Sequence, residues 1–381
     1  MDTPLVETRG SLTASCALKD LADGAQAVGR AVSTRTSLPI LNHILIQSEE
    51  DRLRLSATDM ELGISLTIPA KVAEPGGLTA PSRLLNDLLS TLPDAEVTLN
   101  VDRSHAMRVT CDKSDFKLLG LPHEDYPRLP EVKDEHAFSV AQNTLRDMIR
   151  QTIFAVSPDE ARAILTGVLV CFEESTLKLV ATDTHRLALR TAPIIEPRGG
   201  ASAIVPARAM NELLRMLTDE PGFVTVRMSE NQAMFQTPGG VTLVSRLIDG
   251  QYPNYSRVIP TACQHRLTLQ TQSLLQAVRS AAVVARSAAN RVQIKTDGDR
   301  LQVTAESSID GNAYEEVEIA YEGEGVEMAF NAKYLLDVLQ VVGAEGVYLD
   351  VTDPLKPAVM RPVADSADEE YLCLLMPMQL V

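Results

Sequence analysis

The sequence predicts an α+β fold made of three tandem copies of one domain, each with antiparallel sheets and two helices. Two observations indicate this: three short markers recur at a single long spacing, and the segments between them repeat one order of helices and strands. Because the spacing far exceeds the ~20–50 residues of solenoid repeats, the repeated unit is of domain size.

The first marker is the tripeptide ATD and its relatives. It occurs in "RLRLSATDMELGISL", in "ATDTHRLAL" and, changed, in "RLQVTAESSIDGNAY". Asp59 and Asp183 are 124 positions apart, and Asp183 and Glu306 are 123 apart. We therefore align Glu306 with the two aspartates.

Two further markers have nearly the same period. The amphipathic segments "TAPSRLLNDLLSTL", "IVPARAMNELLRML" and "AFNAKYLLDVLQVV" place Pro81, Pro206 and Asn331 at successive spacings of 125. The third marker closes each copy: Tyr126-Pro127 and Tyr252-Pro253 are 126 positions apart, and Pro377 follows Pro253 by 124. We predict a tail at 1–10 and copies at 11–135, 136–263 and 264–381, joined near 130–137 and 260–266.

Each copy begins with a helix, continues through alternating strands, and has a second helix entered at Pro81, Pro206 or Asn331, which are favourable N-terminal residues. Further alternating strands complete it. The six predicted helices span 17–30, 81–92, 144–156, 206–217, 273–286 and 331–342.

Composition excludes several protein classes. Of 381 residues, 45% are hydrophobic, which is typical of a globular chain. No apolar run reaches the ~20 residues of a membrane span, and the N-terminus is unlike a secretory signal, so we expect a cytoplasmic protein with no membrane association. The five cysteines are dispersed, which favours reduced thiols over a metal site or disulfides. Phosphate-loop, G-x-S-x-G and H-E-x-x-H motifs do not occur, and we expect neither cofactor nor metal.

Charge is distributed unevenly along the chain. The net charge is −16, whereas the predicted helices carry ten basic and six acidic side chains. A surface built from these helices would tolerate a phosphate backbone, with sequence-independent and salt-sensitive contacts. The alternative is that these cations decorate solvated helix faces.

In combination, the threefold repeat, "SLPILNHILI", "ATDTHRLAL", "YPNYSRVIP" and the terminal "MPMQL" resemble the bacterial sliding clamp family, the beta subunit of DNA polymerase III. The resemblance runs from about residue 11 to Leu380. It implies a three-domain crescent and a head-to-tail homodimeric ring of six domains, with helices lining the hole. It further implies a non-catalytic processivity factor for duplex DNA, with a clamp loader, the polymerase III alpha subunit, other polymerases and repair proteins as partners.

The resemblance also suggests what the "ATDTHRLAL" stretch does. Because ATD recurs in the other copies, we interpret it as architecture, an Asp-stabilised turn at a strand end. His185-Arg186 occurs in copy two alone, with Met60-Glu61 and Ser307-Ser308 at the matching places, and is the functional part. In the family this stretch lines a pocket for short linear peptides. Carried over, the pocket residues are Leu165, Thr182, Thr184, His185, Arg186, Leu187, Pro253, Arg257, Val258, Tyr334, Leu355, Leu374, Met376, Pro377, Met378 and Leu380. Leucine and methionine suit an adaptable apolar groove, with His185 and Arg186 as polar anchors at its edge. The alternative for the tail is a last strand buried in copy three, which does not exclude the groove, because a strand can end in one.

Further positions follow from the resemblance. The implied dimer interface has Phe116 and Leu118 facing Val283 and Val284 of the partner subunit, with ordinary core burial as the alternative. The implied DNA contacts are Arg35, Arg83 and Arg208, and Arg162 lies nearby; the helix pairs Arg208 with Arg215 and Arg279 with Arg286 add further candidates. The chain departs from the family at Thr184, where a glycine is usual, at Gln379 in place of arginine, and at Ala163-Ile164 in place of an aromatic pair.

Three other functions stay open from sequence. One is an enzyme using Asp183 and His185 as an acid–base pair, for which no third partner lies at motif spacing. The others are a monomeric peptide-binding adaptor of the same fold and a divergent second clamp.

Overall fold

The computed structural model describes residues 11–33, 38–102, 104–129, 132, 137–194, 200–363 and 370–379. The predicted DNA contact Arg35 and the predicted pocket residue Leu380 lie outside these ranges. By proximity the chain divides into two compact units, Met1–Gln142 with Arg215–Leu247 and Asn143–Leu214 with Ile248–Val381. They are called the first and second unit below.

The described residues contain six α-helices, one for each prediction. They are α1 (Leu18–Gly29), α2 (Ser82–Leu89), α3 (Gln142–Thr152), α4 (Ala207–Met216), α5 (Thr271–Ala285) and α6 (Ala332–Leu339). Short 3₁₀ turns lie at Pro39–Asn42, His123–Asp125, Ile153–Ala155, Glu160–Leu165 and Tyr255–Arg257.

The strands of copy one are β1 (Leu12–Ala17), β2 (His43–Glu49), β3 (Arg52–Thr58), β4 (Leu62–Pro69), β5 (Lys71–Glu74), β6 (Gly77–Pro81), β7 (Glu96–Val101), β8 (Ala106–Cys111) and β9 (Ser114–Leu119). Those of copy two are β10 (Ala137–Ala141), β11 (Gly167–Glu173), β12 (Thr176–Thr182), β13 (Arg186–Pro193), β14 (Ala201–Pro206), β15 (Phe223–Met228), β16 (Gln232–Gln236) and β17 (Thr242–Arg246). Those of copy three are β18 (His265–Gln270), β19 (Arg291–Asp297), β20 (Arg300–Ser307), β21 (Gly311–Glu322), β22 (Glu327–Asn331), β23 (Gly346–Val351), β24 (Ala358–Pro362) and β25 (Tyr371–Leu375).

The strand order repeats three times, as the sequence predicts. One four-stranded pattern occurs as β1-β7-β8-β9, β10-β15-β16-β17 and β18-β23-β24-β25. A second occurs as β6-β2-β3-β4, β14-β11-β12-β13 and β22-β19-β20-β21. Every ladder between these strands is antiparallel, which confirms the α+β prediction.

The second helix of each copy begins where its marker predicts. Pro81, Pro206 and Asn331 each end a strand and directly precede the helix. Asn331 also caps α6, because its side-chain oxygen accepts a hydrogen bond from the backbone N–H of Lys333 at 3.0 Å.

Neighbouring copies are joined by strand pairing inside each unit. In the first unit β4 of copy one pairs with β17 of copy two, and in the second unit β13 of copy two pairs with β25 of copy three. The equivalent strands that remain are β9, at the end of its sheet, and β21. Residues 311–318 of β21 pair with β20 along one edge, and along the other edge no described strand pairs with them.

The structure corrects the alignment of copy three by one residue. Ala57, Ala181 and Ala305 occupy the same place in the three hairpins, opposite Ile64, Ala188 and Ala313. Ser307, and not Glu306, is therefore the equivalent of Asp59 and Asp183. Its hydroxyl accepts from the backbone N–H groups of the residues two and three positions on, both at 3.1 Å, as the aspartates do.

The same hairpins correct the residues matched to His185-Arg186. Leu62 begins β4 as Arg186 begins β13, so the copy-one equivalents are Glu61-Leu62 and not Met60-Glu61. In copy three the turn is one residue longer, because Ser307 lies opposite Gly311. The copy-three residues that match His185-Arg186 therefore come after Ser307-Ser308.

Candidate functional site

The ATD stretch of copy two forms a side-chain-stabilised turn between β12 and β13. The Asp183 carboxylate accepts hydrogen bonds from the backbone N–H groups of His185 and Arg186 at 2.9 and 3.0 Å. The Thr182 hydroxyl accepts from the Thr184 N–H at 3.2 Å and donates to the Arg186 carbonyl at 2.7 Å. This geometry confirms the predicted Asp-stabilised turn.

Thr184 occupies the backbone conformation for which glycine is best suited. Its φ is +78°, in the left-handed region that a β-branched residue adopts at an energetic cost. Its exposed hydroxyl accepts a hydrogen bond from Arg162 Nη1 at 3.3 Å. Arg162 therefore lies beside this turn and not on a helix face.

Arg186 is a buried structural residue. Its side chain donates from Nε to Asp183 at 3.0 Å, from Nη1 to Asp337 at 2.5 Å and from Nη2 to the Phe154 carbonyl at 2.5 Å. The guanidinium lies 4.4 Å from the centroid of the Tyr334 ring. With the residue only 6% exposed, the expectation that Arg186 anchors a ligand at the groove edge is wrong. Arg186 instead links the turn of copy two to α6 of copy three.

His185 remains exposed at the edge. Its ring stacks on Tyr334, with the centroids 6.5 Å apart and the planes at 24°. Asp183 accepts from the backbone of His185, and its other oxygen is bonded to Arg186. The contacts of Asp183 are thus those of a turn residue, and they give no support to an acid–base pair with the His185 ring.

The strands β11–β14, β24 and β25 form a small apolar cluster, which includes Leu187, the residue directly after the turn. Its buried members are Leu169, Cys171, Val180, Leu187, Leu189, Ile204, Val359, Leu372 and Leu374. Five half-buried side chains pack against the cluster: Ile164, Ile248, Tyr252, Tyr255 and Ile259. The predicted Leu187 and Leu374 are therefore brought together, and Leu165 is buried nearby at the end of a 3₁₀ turn.

Ile164, Tyr252 and Tyr255 were not among the predicted pocket residues. Ile164 replaces an aromatic residue of the family but still forms an apolar wall. A side chain at Gly250 would come within 2.8 Å of Ile164, and the φ of Gly250 is +132°, so glycine is required there. The two tyrosines lie in "YPNYSRVIP", the segment that closes copy two, so the repeat itself was the sequence signal that could have identified them.

The phenol groups at this site stay protonated near neutral pH. Burial raises the pKa of Tyr252, with the backbone of Thr182 acting in the opposite direction. Burial likewise raises the pKa of Tyr255 and of Tyr334, and the Asp183 charge adds to the effect on Tyr334.

Four further predicted pocket residues are exposed. Pro253, Arg257 and Val258 are exposed around the 3₁₀ turn Tyr255–Arg257, and Leu355 is 80% exposed in the loop before β24.

The C-terminal tail is hydrogen-bonded at two points. The Met376 N–H donates to the His185 carbonyl at 2.9 Å, and the Met378 N–H donates to the Ala329 carbonyl at 2.7 Å. Met376 is exposed while Pro377 and Met378 are half-buried. The tail directly follows the buried strand β25. Met376 therefore lies next to the turn at His185, and Met378 lies next to β22.

The basic residues of the helices lie on solvent-facing positions. Among the predicted DNA contacts on helices, Arg83, Arg208, Arg215, Arg279 and Arg286 are all exposed. Over all six helices the exposed acids are fewer than the exposed bases, and they are Asp23, Asp87 and Asp147.

The residues expected at a dimer interface differ in exposure. Phe116 and Val283 are exposed, and Val284 is half-buried against the copy-three core. Leu118 is buried in its own unit, so the expectation that its side chain faces a partner is wrong. Its neighbour Leu119, at 71% exposure, was not predicted.

Within the described ranges, no three His, Cys, Asp or Glu side chains come together to hold a metal ion. No helix in the described part of the chain is both long and apolar enough to cross a membrane.

Comparison with known proteins identifies the family. Sequence models of the N-terminal, central and C-terminal domains of the DNA polymerase III beta subunit match residues 12–130, 139–254 and 256–379. The chain belongs to the DNA polymerase III beta subunit family. Members are sliding clamps, non-catalytic processivity factors, and the chain is accordingly not an enzyme.

Individual beta subunits are similar over nearly the whole chain. The beta sliding clamp of Synechocystis is 32% identical over 96% of this chain and 99% of its own length. That of Staphylococcus aureus is 31% identical over 89% of this chain and 92% of its own. The crystal structure of the Bacillus subtilis clamp superposes with a TM-score of 0.92 at 30% identity, covering 97% of this chain and all of that one. The Pseudomonas aeruginosa clamp bound to griselimycin gives the same TM-score and coverage at 32% identity.

Proposed function

We propose that two copies of this chain close head to tail into a ring around duplex DNA, and that the cluster around Leu187 and Leu374 binds short linear peptides of polymerases, the clamp loader and repair proteins. A location in the cytoplasm, where bacterial DNA lies, follows from this role. The observation that carries the ring is the pattern of strand pairing between copies.

Two internal junctions use one rule. At each junction, the last strand of the second four-stranded pattern pairs with the last strand of the first four-stranded pattern in the next copy. The rule leaves one strand of each kind, β9 in copy one and the 311–318 part of β21 in copy three. Pairing of β9 with β21 of the partner subunit would repeat the junction twice more and close a ring. An open strand edge is a site for pairing with another chain.

Side chains at the two edges are compatible with this pairing. Exposed apolar residues lie at both: Phe116 and Leu119 on β9, and Val283, Ile309 and Tyr314 near or on β21. On β9, Lys117 is positive and Asp115 is paired with Arg108, whereas Glu315, Glu316 and Glu318 give β21 a negative charge.

The internal junctions also fix the register of the proposed one. Val244 faces Gly63 in the first unit, and Leu374 faces Leu187 in the second. The ladders within each copy show which residues are equivalent. Lys117 of copy one corresponds to Val244 of copy two and Leu374 of copy three. Asn312 of copy three corresponds to Gly63 of copy one and Leu187 of copy two. Lys117 should therefore face the partner subunit's Asn312.

Cysteine cross-linking tests this register. In a Cys263→Ser background, which removes the exposed thiol, Lys117→Cys with Asn312→Cys should oxidise to a covalent dimer, because facing strand residues lie within disulfide reach. The control is Lys117→Cys with Glu318→Cys, six residues and ~20 Å along the strand. Equal yields from the two pairs, or none from either, would contradict the proposed junction.

The peptide site rests on an apolar cluster whose outer layer is five half-buried side chains. Val258 adjoins Ile259 of this layer, Met376 is hydrogen-bonded to His185, and both are large apolar side chains left exposed; exposed apolar patches mark interaction sites. The relative from Pseudomonas aeruginosa is bound to griselimycin, and we propose that this chain binds its ligands in the corresponding place.

Fluorescence anisotropy with a labelled peptide carrying two apolar anchor residues tests the site. Val258→Asp should weaken binding about tenfold or more, because a charge is introduced into an apolar contact. Leu84→Asp, an equally exposed leucine on α2 of the first unit, is the matched control and should bind normally. Equal affinities for the two variants would place the peptide elsewhere.

A further inference from the structure

The rim of the proposed peptide site holds a contact that copy one cannot make. Met60 of copy one has the same backbone conformation as Thr184, φ +79° against +78°, so the left-handed turn belongs to the repeated architecture. What Thr184 adds is a hydroxyl, which accepts a hydrogen bond from Arg162. The side chain therefore does something besides filling a place that suits glycine.

Arg162 is held from two sides. Its Nε is 3.0 Å from Asp159 Oδ2, and its Nη1 is 3.3 Å from the Thr184 hydroxyl. Asp159 is itself fixed, because its other oxygen accepts from the Ala161 N–H at 3.1 Å. The guanidinium thus has a defined position, although its side chain is 43% exposed.

Unused donors remain on this guanidinium. An arginine has five N–H donors in a planar fork that suits carboxylates. Nε and one hydrogen of Nη1 are engaged, and Nη2 has no partner among the described residues. Arg162 lies two residues before Ile164, the wall of the apolar cluster. Arg162 therefore lies at the edge of the site, between the Thr184 turn and the Ile164 wall.

We propose that Thr184 is a positioning residue that holds Arg162 at the rim, so that this site prefers peptides with a carboxylate next to their apolar anchors. The proposal rests on the proposed peptide-binding function. It also moves Arg162 from the predicted DNA contacts to the peptide site. A fixed cation recognises a carboxylate better than a freely rotating one, because less side-chain entropy is lost on binding.

The test uses labelled peptides in pairs. The two peptides of a pair have the same two apolar anchors and differ at one flanking position, which is Asp in one peptide and Asn in the other. This position differs from pair to pair, so that several positions along the peptide are tested. At one position the wild type should bind the Asp peptide about three- to tenfold more tightly, as expected for one charge-assisted hydrogen bond at a partly exposed site. The preference should decrease as salt is raised.

Three variants separate positioning from general structure. Thr184→Val keeps the shape but loses the hydroxyl, and should reduce the Asp preference to less than about twofold. Thr184→Ser keeps the hydroxyl and should retain the preference. Arg162→Gln should abolish it. The affinity for the Asn peptide should be the same in all four proteins, which shows that the site itself is intact.

Distinct outcomes would overturn the distinct claims. If Thr184→Val keeps the full preference, Thr184 does not position Arg162. If the wild type binds both peptides equally at every position, the acidic preference is wrong while the peptide site stands. If the wild type binds none of the peptides, the proposed peptide-binding function fails and this inference with it.

Discussion

The turns Thr58–Leu62 and Thr182–Arg186 have one backbone and two roles. In both, the aspartate accepts from the N–H groups two and three residues on, and the threonine hydroxyl bonds the end of the turn. The side chains differ: copy one has Met60, Glu61 and Leu62 where copy two has Thr184, His185 and Arg186. The comparison shows that residues repeated in the copies build the turn, and that residues present in one copy build the site.

The largest difference concerns Arg186, whose copy-one equivalent is Leu62. We expect Arg186→Leu to destabilise the second unit by about 3–5 kcal/mol, because Asp183 and Asp337 lose the cation that both contact. The urea midpoint of unfolding measures this. Adding Asp337→Asn should recover part of the loss, and a single variant as stable as wild type would contradict the assigned role.

The two aspartates should differ in importance although their turns are alike. Asp59→Ala removes two backbone hydrogen bonds and should cost about 1–2 kcal/mol. Asp183→Ala removes the equivalent pair and also a partner of buried Arg186, so a cost of about 3 kcal/mol is expected. Equal urea midpoints for the two variants would show that the Arg186 contact adds nothing.

A tyrosine supports the copy-one turn. The Tyr126 hydroxyl accepts from the Thr58 N–H and donates to the His43 carbonyl, both at 3.1 Å. Tyr126→Phe should cost about 1–2 kcal/mol at pH 7, because the buried Thr58 N–H loses its acceptor.

The same tyrosine gives a pH signature. Burial raises the pKa of Tyr126 to about 12. A folded-state pKa above the ordinary value of about 10 means that this contribution is complete below pH 10 and is lost as the pH rises towards 12. The stability difference between wild type and Tyr126→Phe should therefore shrink over that interval, and a constant difference would argue against the pKa raised by burial.

The smallest effect concerns the left-handed residues. Met60→Gly should stabilise the first unit by up to about 1 kcal/mol by relieving the positive φ. Thr184→Gly should gain less, because the hydrogen bond from Arg162 is lost. Thermal melting compares the two, and a larger gain at Thr184 would mean that the strain of its β-branched side chain at positive φ outweighs the Arg162 contact.

The repeated parts of the fold were predictable from sequence because each marker has a local cause. Pro81, Pro206 and Asn331 suit the first position before a helix, and the aspartate suits a turn. The error at Glu306 has a physical reason: Ser and Asp are short enough to bond their own backbone two and three residues on, and Glu is longer. The acidic charge was thus the wrong criterion, and side-chain length was the right one.

The role of Arg186 was not predictable, because its partners Asp337 and Phe154 are 151 and 32 residues away in sequence. The strand pairing between copies is equally non-local. Hydrophobic alternation predicts a strand but does not say which edge it pairs with.

Retention on DNA tests the central claim most directly. The protein is loaded by its clamp loader and ATP onto nicked circular plasmid, separated from free protein, and separated again after one cut in the plasmid. A ring around duplex DNA predicts that the protein stays on circles and leaves the linear molecule. Equal retention on circular and linear DNA would show that binding is chemical, and would contradict the ring.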